Sequence, residues 1–217
     1  MKRNLSLLFL SLAVVLGLSM SASAQVWMTT TGTINGGVYP GTSDETGPYA
    51  GTINGGPTTN FVCDDATNLS VQPWQANVYQ SNPVSVGLVK FNSSSLMPGA
   101  SQQQLYNGIT YLAMLILQNP SNVSLDEAAN AAIWTITSNG TWDGGAPLLD
   151  SNVMADINAA IGADNSYNGD LNVYTPTSAY AGTDQEFLGT PEPLSMALMG
   201  TFLTLAGLGL GKKKLFA

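Results

Sequence analysis

The sequence predicts an α+β fold: an antiparallel, β-rich domain, sandwich- or barrel-like, with two to three inserted helices. Three observations predict it. Apolar runs bounded by Gly, Asn and Pro fill the first part of the chain, the middle switches to helical spacing of apolar residues, and strand character returns at Leu171. Strands, then helices, then a strand is the order of an α+β domain rather than of a regular parallel α/β sheet.

At the N-terminus, Lys2 and Arg3 precede an uncharged stretch from Asn4 to Met20, and Ala22-Ser23-Ala24 follows it. A basic start, an apolar middle and a small-x-small end predict a signal peptide over 1–24, cut before Gln25 by signal peptidase, and hence an exported protein. The segment from Gln25 to Val89 has strand and turn character. "GTINGG" occurs at 32–37 and again at 51–56, and each Asn-Gly pair is expected to close a two-residue hairpin. The second copy leads into Phe61-Val62-Cys63, a short apolar strand that stops at Asp64-Asp65. Leu105, Ile109, Leu112 and Ile116 then mark one helix face, which Pro120 ends. Ser124 followed by Glu127 has the capping-box spacing of a second helix start, a third short helix is expected over 152–161, and "LNVYT" at 171–175 forms the returning strand. These elements make up one extracytoplasmic domain, residues 25–189.

Composition limits the chemistry of that domain. Thirteen acidic residues stand against one basic residue, Lys90, for a net charge of −12 over residues 25–189, a surface that repels nucleic acid and anionic membranes. The chain has no His and no Arg after Arg3, which excludes Ser-His triads, His-based metal sites and Arg phosphate clamps. Asp64 and Asp65 are adjacent on a strand and so point to opposite faces, where they cannot flank one glycosidic bond. No enzymatic activity is expected, and a polysaccharide-acting enzyme is the rival from another class. "DNSYNGDLN" places Asp164, Ser166, Asn168 and Asp170 at positions 1, 3, 5 and 7 of a calcium-loop pattern, with Gly169 at the turn. Position 12 is Thr175 rather than a bidentate Glu, so the segment supports a weak calcium site or an ordinary Asn-Gly turn, and no other cofactor. Trp74 and Trp134 are expected in the core, and Trp142, beside Asp143-Gly144-Gly145, on the surface.

Residues 190–217 carry a different signal. Pro191-Glu192-Pro193 leads into eighteen uncharged residues, Leu194 to Gly211, and then Lys212, Lys213 and Lys214. As a helix the run would span roughly 27 Å, just enough to cross a bilayer core, with the lysines held on the cytoplasmic side. This three-part ending resembles a PEP-CTERM sorting signal, although its basic cluster is all Lys where Arg is commoner. The resemblance implies recognition by an exosortase, transient anchoring in the inner membrane, processing near Pro193, and a place at the cell surface or outside it, often with exopolysaccharide and biofilm.

Cys63 is the chain's one cysteine, so an intramolecular disulfide is impossible. A Cys at a strand end, followed later by Ala129-Asn130-Ala131-Ala132-Ile133-Trp134, resembles bacterial thioester domains. Their cysteine thiol condenses with the glutamine of a Thr-Gln-x-Ala-Ile/Val-Trp motif. Asn130 stands where that glutamine should be, one methylene short, which puts its carbonyl about 1.5 Å out of the thiol's reach. The resemblance implies a scaffold that kept the fold and lost the chemistry, with Cys63 buried and unlinked; the alternative is a covalent adhesin whose Cys63 thioester is attacked by surface amines. The scaffold requires Cys63 and Asn130 within about 10 Å at their Cα atoms.

Overall fold

The computed structural model describes residues 25–66, 72–139 and 151–191. The expected signal peptide over 1–24, the span from Leu194 to Gly211, Glu192, Pro193, Lys212, Lys213, Lys214 and Trp142 all lie outside the described residues. Pro191 is described and exposed. No helix among the described residues is long and apolar enough to cross a membrane.

Six strands, β1 (Gln25–Thr33), β2 (Tyr49–Ile53), β3 (Thr58–Cys63), β4 (Trp74–Gln80), β5 (Asn172–Pro176) and β6 (Phe187–Gly189), close into an antiparallel barrel in the order β1-β2-β3-β6-β5-β4. The β-rich domain expected from the sequence is therefore a barrel and not a sandwich. Closure comes from β4, which pairs with both β1 and β5 and so leaves no free edge among the described strands. Three helices lie between β4 and β5: α1 (Gln102–Gln118), α2 (Val123–Thr137) and α3 (Ser151–Ala163).

Strand alternation divides the core in two. Met28, Phe61, Cys63, Trp74, Ala76, Tyr174 and Phe187 fill the barrel, whereas Val62 and Leu188, one residue out of phase, face the helices and join Leu105, Ile109, Leu112, Ile133 and Trp134. Phe61 meets Tyr174 edge-on at 5.3 Å between ring centroids, and Trp74 stacks on Phe187 at 5.9 Å. Such pairs hold better when offset or edge-on than face to face.

Two details differ from the sequence-based expectation. The capping box belongs to α1, where Ser101 and Gln104 satisfy each other's backbone N–H groups, and α2 instead starts from Asn122, whose side chain accepts from Leu125 N. Asn122 precedes Ser124 and is at least as good a cap, so the helix starts earlier and Ser124 falls inside its first turn. The two "GTINGG" copies also serve different ends. In the second, Asn54 (φ 52°) and Gly55 (φ 68°) form the expected tight turn between β2 and β3, with Gly56 N bonded to Ile53 O. The first opens a longer excursion, residues 34–48, pinned by an isolated bridge between Val38 and Glu45. Its glycines are there for close approach: a Cβ on Gly36 would lie 1.8 Å from Thr46 O, and one on Gly37 2.3 Å from Glu127 Oε1.

Candidate functional site at the exit of strand β3

Strand β3 ends at Cys63, and α2 receives it. Asn130 and Trp134, one helical turn apart on the same face, both donate to the Cys63 carbonyl, Asn130 Nδ2 at 3.3 Å and Trp134 Nε1 at 3.0 Å. Thr137 Oγ1, further along the helix, donates to Asp64 O at 2.8 Å. The first of these links holds the Cα atoms of Cys63 and Asn130 within about 10 Å by bond lengths alone. The two residues singled out by the sequence therefore meet.

They do not meet as reacting groups. Asn130 Oδ1 accepts from Gly47 N at 2.7 Å. The β2–β3 register, in which Tyr49 faces Phe61, places Gly47 opposite Cys63 where the ladder parts. The Asn130 amide fills that gap, taking the N–H of one strand and giving its own to the carbonyl of the other. The Cys63 thiol turns into the barrel and donates to Asp65 O at 3.2 Å. Burial, and then the charge of Asp64, push the thiol well above its ordinary range. It stays protonated, whereas the thiolate is the nucleophile.

Two residues beyond Cys63 lies a second, charged cluster. Glu186, fully buried, accepts from Tyr106 Oη at Oε1 and from Thr175 Oγ1 and the Lys90 backbone N–H at Oε2, the last at 3.0 Å. Asp64 is equally buried, and neither of its oxygens meets a donor. The group it faces is the Glu186 carboxyl, and two carboxyls in contact bond only when one keeps its proton. Burial, followed by the Glu186 charge, lifts Asp64 well above the usual carboxylate range; burial also lifts Glu186, opposed by its Thr175 and Tyr106 donors. Asp64 is thus the protonated partner. Beside this pair the Lys90 ammonium contacts Asp65 Oδ2, the Asp65 side chain being wholly buried and that of Lys90 22% exposed. An open depression of about 230 Å³ borders this cluster at Lys90 and Thr175, with Leu88 and Pro176 also in its lining.

Sequence reasoning missed the pairing of Asp64 with Glu186 and of Lys90 with Asp65. Asp64 and Asp65 both lie past the end of β3 rather than on it, so strand alternation does not separate them, and each is buried against a group from elsewhere in the chain, Asp64 against Glu186 and Asp65 against Lys90. The available signal was Lys90, the domain's one basic residue among thirteen acids. Three of the calcium-loop residues have groups engaged elsewhere. Asp170 Oδ2 is engaged by Gln80 Nε2 at 3.2 Å, Asp164 O accepts from Asn107 Nδ2, and Thr175 turns toward Glu186. Ser166 and Asn168 lie in the turn after α3, and among the described residues no group of three or more His, Cys, Asp or Glu could hold a metal ion. Trp74 and Trp134 are both in the core.

No family model matches the chain, and no curated protein does. Among solved structures it is similar to the N-terminal thioester domain of a surface protein from Clostridium perfringens, at 19% identity, covering 77% of this chain and 99% of that one, with a TM-score of 0.38. It is also similar to the N-terminal thioester domain of fibronectin-binding protein SfbI from Streptococcus pyogenes, at 9% identity, covering 80% and 97%, with a TM-score of 0.44.

Proposed function

We propose that the chain is an exported, exosortase-processed protein of the cell surface or extracellular matrix, with a non-enzymatic structural or adhesive role, associated with exopolysaccharide or biofilm. In this reading the thioester-like junction is a clasp between strand and helix rather than a reactive bond. The observation that carries it is the engagement of Asn130: both ends of its amide are committed to backbone groups, and the thiol beside it is buried, protonated and hydrogen-bonded. Full burial of Asp64 and Glu186 also keeps these carboxyls from a polymer chain, which argues against a polysaccharide-acting enzyme. The second reading, a covalent adhesin using Cys63, is favoured by the proximity of Cys63 and Asn130.

Methylamine treatment of the native exported protein, followed by denaturation, alkylation and peptide mapping, separates the two. The clasp predicts a Cys63 peptide alkylated only after denaturation, and an Asn130 peptide that takes up no amine. Methylamine incorporated at residue 130, with a mass about 17 Da below the processed sequence before treatment, would establish the adhesin instead.

A further inference from the structure

Lys90 is unusual in where it points. The one cation of a domain with net charge −12 extends from the segment between β4 and α1 to a carboxylate buried beside two further buried acids. Removing an ion pair from water costs several kcal/mol per ion, and mutual attraction offsets this only when the remaining hydrogen bonds are satisfied. A neutral amide between the same two side chains would remove both charges. The surrounding geometry supplies what amide formation needs. The Lys90 backbone N–H is fixed on Glu186 Oε2, so the side chain starts from an anchored point, and two groups held in contact react with a large advantage over free ones. The Asp64–Glu186 pair sits alongside as a buried group that both accepts and returns a proton.

We propose that Lys90 Nζ and Asp65 Cγ are joined by an amide bond formed inside the folded domain. The ammonium gives one proton to the Asp65 carboxylate, so that a neutral amine attacks the carbon of a neutral carboxyl. In the tetrahedral adduct a second nitrogen proton passes through the acid pair to the protonated Oδ, which leaves as water. One C–N bond forms and one C–O bond breaks; an ammonium and a carboxylate become a neutral amide and one water. No oxidant, nucleotide or metal is consumed. The depression over Lys90 offers the water a way out. The bond is independent of the state of Cys63 and ties residue 65 to residue 90, across the segment that carries β4.

The full chain offers a direct test, because Lys90 is the one trypsin site between Arg3 and Lys212. Amidation predicts an intact mass about 18 Da below that of the sequence, unchanged by methylamine, and no cleavage after residue 90 in the urea-denatured protein. Chymotrypsin, which cuts after Trp74 and Tyr79 between the two residues, followed by tandem mass spectrometry, should yield the Asp65 and Lys90 fragments still joined. Lys90→Arg keeps the charge but forms no amide, so it should restore both the full mass and the cleavage. Asp64→Asn, which removes the proton carrier, should leave a mixture of linked and unlinked chains. Wild-type protein of full mass that is cut completely after residue 90 would overturn the proposal. So would a deficit that persists in Lys90→Arg, or one of about 17 Da that methylamine abolishes. If Lys90→Arg does not fold, the wild-type peptide map decides alone.

Discussion

The Asn130 clasp makes a quantitative claim that a double-mutant cycle can test. In Asn130→Ala the Gly47 N–H, buried at the parting of β2 and β3, loses its acceptor, while the Cys63 carbonyl keeps Trp134 Nε1 at 3.0 Å. Leaving one buried donor unsatisfied costs about 1–3 kcal/mol, so a loss of about 2 kcal/mol is expected before any cavity cost. In Trp134→Phe the indole N–H goes but Asn130 Nδ2 still serves the same carbonyl, and the hydrogen-bond part of the loss should be about 1 kcal/mol. The double variant strips both donors from Cys63 O. Because each donor covers for the other in the single variants, the double should lose about 1 kcal/mol more than the sum of the two single losses. Equilibrium urea unfolding followed by far-ultraviolet circular dichroism gives all four stabilities, and equal slopes in the four curves confirm a common unfolding transition. A coupling within about 0.5 kcal/mol of zero would show that the two side chains do not share the Cys63 carbonyl.

Two further predictions concern the buried acids and the tail. Burial, then the Glu127 charge, raises Asp126 to about 6, and burial raises Asp64 and Glu186 above the usual range. Groups that hold protons more tightly when folded give stability that is complete below their unfolded value, near 4, and lost as pH rises through the folded one. The thermal midpoint should therefore fall from pH 4 upward; Asp126→Asn should flatten the part around pH 6 and add about 1–3 kcal/mol at pH 7, and a wild-type midpoint that rises between pH 4 and 6 would contradict this. Replacing Pro191, Glu192 and Pro193 by Ala should leave unprocessed protein in the inner membrane of a host with an exosortase, as seen by fractionation and C-terminal mass. Normal surface delivery of that variant would end the sorting proposal.

Local chemistry made much of the fold legible. Helical spacing from Leu105 to Ile116 marks α1, the Asn54-Gly55 pair marks the β2–β3 turn, and "LNVYT" marks β5. Cys63 and Asn130 were legible as a pair because each sits in a short motif. What could not be read depends on partners far apart in the chain. Nothing local distinguishes the first "GTINGG" from the second; the Gly36 and Gly37 contacts with Thr46 and Glu127 appear only once α2 packs against the excursion. Closure into a barrel likewise hangs on β4 reaching both β1 and β5, a pairing that strand patterns do not encode. Glu186 immediately precedes β6 and meets Asp64 because the β3–β6 pairing, which ends at Cys63 opposite Phe187, brings the two next residues together.

Amide formation at Lys90 would also alter the acids around it in a self-consistent way. It consumes one positive and one negative charge, so the domain's net charge of −12 does not change and electrophoretic mobility is blind to it. Locally the change is larger. The Lys90 charge holds Asp64 down and the Asp65 charge pushes it up, with burial and Glu186 pushing harder than either. Condensation removes the two opposing charges together and leaves Asp64 beside Glu186, still sharing one proton. The cluster that would catalyse the bond is thus equally tolerable once the bond exists, whereas an unreacted Lys90 leaves two charges to be accommodated beside that pair. Lys90→Ala, which can form neither the amide nor the ion pair, should for this reason lower the urea-unfolding midpoint of the domain, since it leaves the Asp65 carboxylate buried without its cation.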